Sequence, residues 1–132
     1  MTARFFVDEN DLALGKVLAG LYGNVVFPGH PDLPEVPRRS LDDEWLAVIG
    51  EQGLVVITRD KRIRYRPVER TTWVDHRVRG FVLTGTASQS TADSLTLLQH
   101  HWAEMAVIVE ARPAGPWMYA VTHAGVRPIP LT

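Results

Sequence analysis

The chain has 132 residues, which is enough for one domain with its own hydrophobic core. With 45% hydrophobic and 22% charged residues its composition is neither disordered nor fibrous, and the absence of cysteine excludes a disulfide framework and a thiolate zinc site. The formal net charge of −1 excludes a broadly basic surface for nucleic acid. We therefore predict a single domain over residues 1–132.

The first half of the chain alternates short apolar runs with segments of helical periodicity. Strands are predicted over 4–7, 24–27 and 54–58, and helices over 11–23 and 42–53. Asn10 or Asp11 would cap the first helix, and Ser40 or Asp42 the second. Four prolines within residues 28–39 predict a long loop between the second strand and the second helix.

The second half continues the alternation after a less regular segment. A short helix is predicted over 68–78, beginning near Pro67, followed by a strand over 80–84. A third helix is expected over 90–105 with Ser90 or Thr91 as its cap. Residues 106–111, AVIVEA, predict a fifth strand, and residues 117–131 predict two short strands joined at Ala124 and Gly125.

This order predicts an α/β fold of three layers, α/β/α, with a mainly parallel central sheet and a short C-terminal β-hairpin. Within the predicted strands, apolar residues follow one another and do not alternate with polar residues. This pattern is typical of a parallel sheet buried on both faces. Ligands of such sheets bind outside the carboxyl ends of the strands. The N-terminal sequence MTARFFVDEN has an apolar run of only three residues, too short for a signal peptide or a membrane span. We expect a cytoplasmic protein without membrane contact.

Carboxylates lie at the predicted carboxyl edge of this sheet. Asp8 follows the first strand, Asp60 follows the third, and the acids 42–44 open the intervening helix. Grouped carboxylates repel one another unless a cation lies between them, and Mg²⁺ prefers oxygen ligands. The pattern indicates a divalent-metal site that acts on phosphodiesters. Each acid also has a purely structural interpretation, as a polar strand end or as a partner of a helix N-terminus.

A basic segment follows Asp60 directly. Its side chains could hold the phosphates that flank a cleaved bond, and Tyr65 could stack on an unpaired base. Taken alone, the same run is typical of a solvated surface loop. The predicted RNA-binding residues are Arg59, Lys61, Arg62, Arg64 and Arg66.

The motifs FFVDEN, DDEWL and VVITRDKRIRYRPVE resemble those of PIN-like nucleases, in particular the VapC-type toxins of bacterial toxin–antitoxin modules. The resemblance covers roughly the first 85 residues. It implies that the metal-binding and catalytic acids are Asp8, Asp42 and Asp60, with Thr58 as a catalytic hydroxyl and Glu9 and Asp43 as possible substitutes. The fourth acid of many PIN nucleases is missing, since the corresponding segment offers only Ser88, Gln89 and the later Asp93.

The resemblance implies a metal-dependent endoribonuclease that uses Mg²⁺ or Mn²⁺ and serves as the toxin of a toxin–antitoxin system. The expected partners are an RNA substrate, a cognate antitoxin that contacts the proline-rich loop over 28–37, and a second copy of the chain. Two alternatives stay open. One is a catalytically inert PIN-like module that binds protein or RNA, and the other is a Mg²⁺-dependent phosphoryl-transfer or receiver-type domain.

Overall fold

A computed structural model describes residues 4–84 and 90–131 of the chain. Two strands and two helices lead to the central strand β3. They are β1 (Phe5–Val7), α1 (Leu12–Tyr22, preceded by a 3-10 turn over Glu9–Asp11), β2 (Val25–Val26), α2 (Asp42–Gln52) and β3 (Val55–Thr58). The remaining elements are α3 (Lys61–Tyr65), α4 (Pro67–Asp75), β4 (Arg79–Leu83), α5 (Thr91–Ala111), β5 (Trp117–Thr122) and β6 (Gly125–Pro128).

The six strands form one sheet in the order β2-β1-β3-β4-β5-β6. Every pair from β2 to β5 is parallel, and β6 pairs antiparallel with β5 as a C-terminal hairpin. Because β1 and β3 are direct neighbours, with Val7 opposite Ile57, their carboxyl ends meet at one point of the sheet edge. The predicted fold class is confirmed.

Both faces of the sheet are covered by helices, which gives the three layers. Phe5 and Val7 of β1 pack on one side against α1 and α5, whereas Phe6 packs on the other side against α2 and α4. The alternation within β1 follows from the twofold periodicity of a strand. Within the described ranges, 4–84 and 90–131, no helix is long and apolar enough to cross a membrane.

The prediction of a strand over 106–111 is wrong, because these residues form the last turns of α5. Leu98, Met105 and Val109 recur on one buried helical face, while Val107 is 67% exposed. No glycine or proline interrupts residues 91–111, so the helix continues through the β-branched residues. An apolar run of six residues does not by itself distinguish a strand from a buried helix segment.

Several helix starts differ from the predicted caps. Neither Asn10 nor Asp11 caps α1 with its side chain, and α2 begins after Leu41, whose N–H donates to Glu44 Oε1 at 3.0 Å. Ser90 caps α5 as predicted, accepting a hydrogen bond from the N–H of Asp93 at 3.1 Å. Helices α1 and α2 end at Gly23 and Gly53, which both adopt left-handed backbone.

The basic segment after Asp60 contains a short helix, α3, that was not predicted as such. It begins because the Asp60 side chain accepts a hydrogen bond from the N–H of Arg62 at 2.9 Å. Ile63 anchors it in the core, with no exposed surface. Arg66 is extended, as expected for a residue before proline, and Pro67 opens α4. The segment is therefore an ordered element beside the sheet edge.

Candidate active site

A cleft of about 270 Å³ lies at the carboxyl edge of β1 and β3. Its walls come from the turn after β1, the loop before α2, the first turn of α2, and α3. The residues that line it are Asp8, Glu9, Asn10, Arg39, Ser40, Leu41, Asp42, Trp45 and Arg62. The topology thus brings together residues that are far apart in the sequence.

Asp8 is the most deeply buried acid of the cleft, with 2% of its surface exposed. Thr58 Oγ1 donates to Asp8 Oδ2 at 2.9 Å, while Oδ1 is buried without a hydrogen-bond partner among the described residues. Burial, followed by the nearby carboxylate of Asp11, raises the pKa of Asp8 well above its ordinary value of 3.8. The ionised carboxylate therefore lacks a counter-charge, which a proton or a cation would supply.

Thr58 joins the two strand-end acids. While its hydroxyl donates to Asp8, its oxygen accepts a hydrogen bond from the N–H of Asp60 at 2.9 Å. Asn10 Nδ2 also reaches Asp60, donating to Oδ2 at 3.3 Å. The buried hydroxyl therefore fixes the spacing of Asp8 and Asp60, consistent with the importance that the sequence motif gives to this position.

Arg62 neutralises Asp60. Its Nη2 donates to Asp60 Oδ2 at 2.8 Å, and its Nε lies 3.1 and 3.2 Å from the two carboxylate oxygens. Burial alone would raise the pKa of Asp60, but the hydrogen bonds and charge of Arg62 outweigh it and lower that pKa. Because the guanidinium also lies 3.9 Å from Asp42 Oδ2, it is placed between two acids of the predicted metal site.

Asp42 and Asp43 are placed differently. Asp42 lines the cleft, where its Oδ1 accepts a hydrogen bond from Trp45 Nε1 at 3.1 Å. Asp43 is exposed and lies outside the set of described residues that line the cleft. Trp45 itself packs against Phe6 in the core, so the ring holds the carboxylate of Asp42 in position.

Glu9 is engaged with the proline-rich loop. Its Oε1 accepts a hydrogen bond from the N–H of Arg39 at 2.5 Å, and its Oε2 lies 3.5 Å from Arg38 Nε. Both oxygens thus tie the loop to the turn after β1. In this arrangement Glu9 organises one wall of the cleft, and the charge that it offers to a metal is partly neutralised.

Asp11 is a residue of this region to which the sequence assigned only a capping role. It is buried and accepts hydrogen bonds from both the backbone N–H and the Nε of Arg59. Arg59 Nη1 reaches further, to Ser94 Oγ on α5 at 3.2 Å. Arg59 was predicted to bind RNA, but the structure gives it an internal role, linking the end of β3 to α1 and α5.

The remaining basic side chains lie on α3 and just beyond it. Arg66 is exposed, and Arg64 lies over the ring of Tyr65 at 5.0 Å from its centroid. Tyr65 is 64% exposed, so its ring is accessible. The side chain of Lys61, and the residues Ser88 and Gln89, lie outside the described part of the chain.

Asp93 is the later acid of the segment in which many PIN nucleases carry a fourth acid. Its carboxylate accepts a hydrogen bond from the N–H of Ser90 at 3.3 Å, which completes a capping box at the start of α5. Asp93 is exposed and lies outside the described lining of the cleft. Its role in the structure is therefore that of a helix cap.

The cleft offers oxygen ligands of the kind that Mg²⁺ and Mn²⁺ prefer. Asp8 brings a buried oxygen without a partner, and Asp42 lines the same space. In the arrangement described for residues 4–84 and 90–131, no three His, Asp or Glu side chains lie close enough to hold one ion. The donors fit a site with one or two carboxylates and several waters, which is common for Mg²⁺. Asp60, the third predicted ligand, is paired with Arg62 in this arrangement.

Comparison with known proteins identifies the domain but no individual relative. A family model described as PIN like domain matches residues 3–85. The match contains β1 to β4 and every residue that lines the cleft. No curated protein and no solved structure matches the chain.

Proposed function

Since the chain belongs to the PIN-like domain family, we propose that it is a metal-dependent endoribonuclease that hydrolyses RNA phosphodiester bonds. The observation that carries this proposal is the buried Oδ1 of Asp8, which faces no partner in the described structure of a cleft shared with Asp42. A buried carboxylate oxygen without a partner is costly, and either a proton or a divalent cation would satisfy it. The proposed function assigns this role to the cation.

The residues in and beside the cleft would have separate roles in the reaction. Asp8 and Asp42 hold Mg²⁺ or Mn²⁺, which when bound supplies the activation of a water molecule and the neutralisation of phosphate charge. Thr58 keeps Asp8 and Asp60 in a fixed relation through its two hydrogen bonds. Arg62 would exchange Asp60 for a phosphate of the substrate, because a guanidinium binds both groups with the same paired geometry.

The α3 segment would hold the RNA beside the cleft. Arg64 and Arg66 supply charge for flanking phosphates, and the exposed ring of Tyr65 supplies a surface for an unpaired base. Lys61 belongs to the same segment of the sequence and would add a further positive charge. A net charge of −1 agrees with a few local contacts in place of a broad basic surface.

The finer proposal is that the protein is a VapC-type toxin acting in the cytoplasm and neutralised by a cognate antitoxin. The motifs that resemble such toxins support it. The proline-rich loop over 28–37 buries Leu33 and Val36 but exposes Pro31, Pro34 and Pro37 as a surface for that partner. A receiver-type phosphoryl-transfer domain is less well supported, because the chain has only two lysines, Lys16 and Lys61, and neither ends the fifth strand.

The proposal is tested by three matched variants in a cleavage assay on single-stranded RNA with Mg²⁺ or Mn²⁺. Asp8→Asn and Asp42→Asn should each lower cleavage by at least about 100-fold, since each removes a charged ligand from the metal. Asp43→Asn, one position along α2 and exposed, should cleave like the wild type. Equal activity in all four proteins, or cleavage that persists in excess EDTA, would overturn the assignment of a metal centre to this cleft.

A catalytically inert PIN-like module is the second candidate. The observation that favours it is the pairing of Arg62 with Asp60, which leaves no group of three free acids within the described chain. Calorimetric titration with Mn²⁺ separates the two functions. If the protein is a nuclease, it must bind Mn²⁺, and Asp8→Asn must lose that binding. If it is an inert module, it must bind RNA or protein without binding Mn²⁺.

A further inference from the structure

Arg39 has an unusual backbone conformation at the edge of the cleft. Its φ is 69°, in the left-handed region that a residue with a side chain rarely adopts. Among described residues other than glycine, only Arg77 shares a positive φ. A strained residue persists only where its surroundings hold it in place, and such residues concentrate at functional sites.

The contacts that hold Arg39 come from the turn after β1. Glu9 Oε1 accepts the Arg39 N–H at 2.5 Å and Oε2 pairs with Arg38 at 3.5 Å. Ser40 Oγ donates to the carbonyl oxygen of Pro37 at 2.7 Å, which closes the loop on the other side of Arg39. Glu9, which follows Asp8 in the sequence, therefore holds the loop in its strained form.

The side chain of Arg39 is available for a ligand. Arg39 lines the cleft together with Asp8, Asp42 and Arg62, and it is exposed. Within the described structure its guanidinium makes no hydrogen bond and no ion pair, whereas Arg62 is paired with Asp60 and Arg38 with Glu9. A cation in an acid-lined cleft without a pairing partner is suited to an anion that enters the cleft.

We propose that Arg39 is a substrate-contacting residue that binds a phosphate of the RNA, and that Glu9 is a positioning residue that holds Arg39 over the cleft. The proposal rests on the nuclease function above and adds a contact outside the basic segment of α3. Arg39 lines the cleft from the loop before α2, and Arg62 lines it from α3. A phosphodiester at Asp8 and Asp42 would thus lie between two guanidinium groups.

The backbone of Arg39 allows a test in which binding and stability move apart. Glycine adopts a φ of 69° without strain, so Arg39→Gly should keep or raise the melting temperature while it removes the guanidinium. The matched control is Arg77→Gly, which has a φ of 54° in the turn before β4. That turn lies at the amino end of the strand, on the sheet edge opposite the cleft.

Binding of a labelled single-stranded RNA oligonucleotide is measured in EDTA over a salt series, beside the melting temperature. Arg39→Gly should raise Kd about 5- to 10-fold and flatten the slope of log K against log salt by roughly 0.7, the value for one phosphate contact. Arg77→Gly should leave Kd and slope unchanged. An Arg39→Gly protein that matches the wild type in both Kd and slope would overturn the contact.

Glu9 is tested with two substitutions in the same assay. Glu9→Ala loses the acceptor for the Arg39 N–H and should weaken binding, whereas Glu9→Gln keeps an acceptor oxygen and should restore it. Equal binding of the two variants would remove the positioning role. A wild type that neither binds RNA in this assay nor cleaves it with Mg²⁺ would overturn the nuclease function together with this proposal, whereas a wild type that cleaves while Arg39→Gly binds normally would overturn only the role of Arg39.

Discussion

At the residue scale, the two acids that follow β1 and β3, Asp8 and Asp60, make hydrogen bonds in opposite ways. Asp8 has one oxygen bound to Thr58 and one without a partner among the described residues, whereas both oxygens of Asp60 are bound. Burial, followed by the charge of Asp11, raises the pKa of Asp8, whereas the hydrogen bonds and charge of Arg62 outweigh burial and lower the pKa of Asp60. Asp8 therefore has no counter-charge among the described residues when it is ionised, whereas Asp60 is paired with Arg62.

A first prediction at this scale concerns competition between Arg62 and the metal. Arg62→Ala removes the guanidinium that lies between Asp42 and Asp60, so we expect Mn²⁺ to bind several-fold more tightly in calorimetric titration. The N–H of residue 62 still donates to Asp60, so α3 keeps its cap. Arg64→Ala is the control, because Arg64 lies over Tyr65, and its affinity for Mn²⁺ should equal that of the wild type.

Equal Mn²⁺ affinity in Arg62→Ala and the wild type would show that the guanidinium does not compete with the metal. The same variant should bind RNA less tightly, since it loses a phosphate contact. The two effects have opposite signs, so a general loss of structure cannot produce both.

The residue scale is also where sequence reasoning was least complete. Asp8, Asp42 and Asp60 were proposed as site residues because a strand end or a helix start is visible in the apolar pattern around them. Arg39 lies in a loop without periodicity, and its contact with Glu9 crosses 30 positions of sequence. Asp11 was taken for a helix cap because its partner Arg59 lies 48 residues away. Such pairs become visible only after β1 and β3 are placed side by side.

At the element scale, α4 packs on β4 through a glycine. An added Cβ at Gly80 would lie 2.6 Å from the ring of Trp73 and 2.8 Å from the carbonyl oxygen of Val56. Trp73 is completely buried, and its Nε1 donates to the carbonyl oxygen of Trp117 at 3.2 Å. The absence of a side chain at residue 80 thus lets the helix approach the sheet closely beside the cleft-bearing strands.

Gly80→Ala should lower the free energy of unfolding by roughly 1–3 kcal/mol, the usual cost of overpacking a core. The control is Gly20→Ala on α1, where an added Cβ meets no atom within 4 Å. It should raise stability by about 0.5–1 kcal/mol, because alanine favours the helix. Urea denaturation of both variants measures the two changes in unfolding free energy. A gain in stability for Gly80→Ala, like that expected for Gly20→Ala, would contradict the close packing of α4 on β4.

The element scale also shows what an apolar pattern can and cannot decide. Strands β1 to β4 were predicted because each is a short apolar run bounded by polar residues or glycine. Residues 106–111 have the same appearance, yet they continue α5 because Met105 and Val109 extend its buried face. In the arginine-rich segment, by contrast, the apolar pattern did not reveal a helix that the structure contains. Its five-residue helix α3 depends on one buried residue, Ile63, and on a cap from Asp60.

At the scale of the whole molecule, ionisation of Asp8 and Asp60 couples to global unfolding. A carboxyl whose pKa is raised by folding, such as Asp8, destabilises the native state progressively as pH rises from 3.8 through the folded pKa. A carboxyl whose pKa is lowered, such as Asp60, stabilises the native state above 3.8, and this contribution is lost as pH falls through the folded pKa. The two contributions have opposite signs at neutral pH.

The corresponding Asn variants should therefore change stability in opposite directions in metal-free buffer. Asp8→Asn should be more stable than the wild type at pH 7 by roughly 1–3 kcal/mol, because it relieves a buried, unpaired carboxylate. From the sequence, mutual repulsion of the acids predicts the same gain for Asp60→Asn. The structure reverses that expectation, and a loss of roughly 1 kcal/mol is expected, reduced by solvent screening because Arg62 is 45% exposed.

Urea denaturation from pH 3 to pH 8, with EDTA present throughout, measures both differences. Each should shrink towards zero near the acid end, where the unfolded wild-type chain also keeps its proton. Added Mn²⁺ should then stabilise the wild type at pH 7 and leave Asp8→Asn unchanged, since a ligand that binds only the native state raises its stability by mass action. A gain for Asp60→Asn at pH 7 would mean that repulsion outweighs the pairing with Arg62, so that the guanidinium does not act as the counter-charge of the cleft.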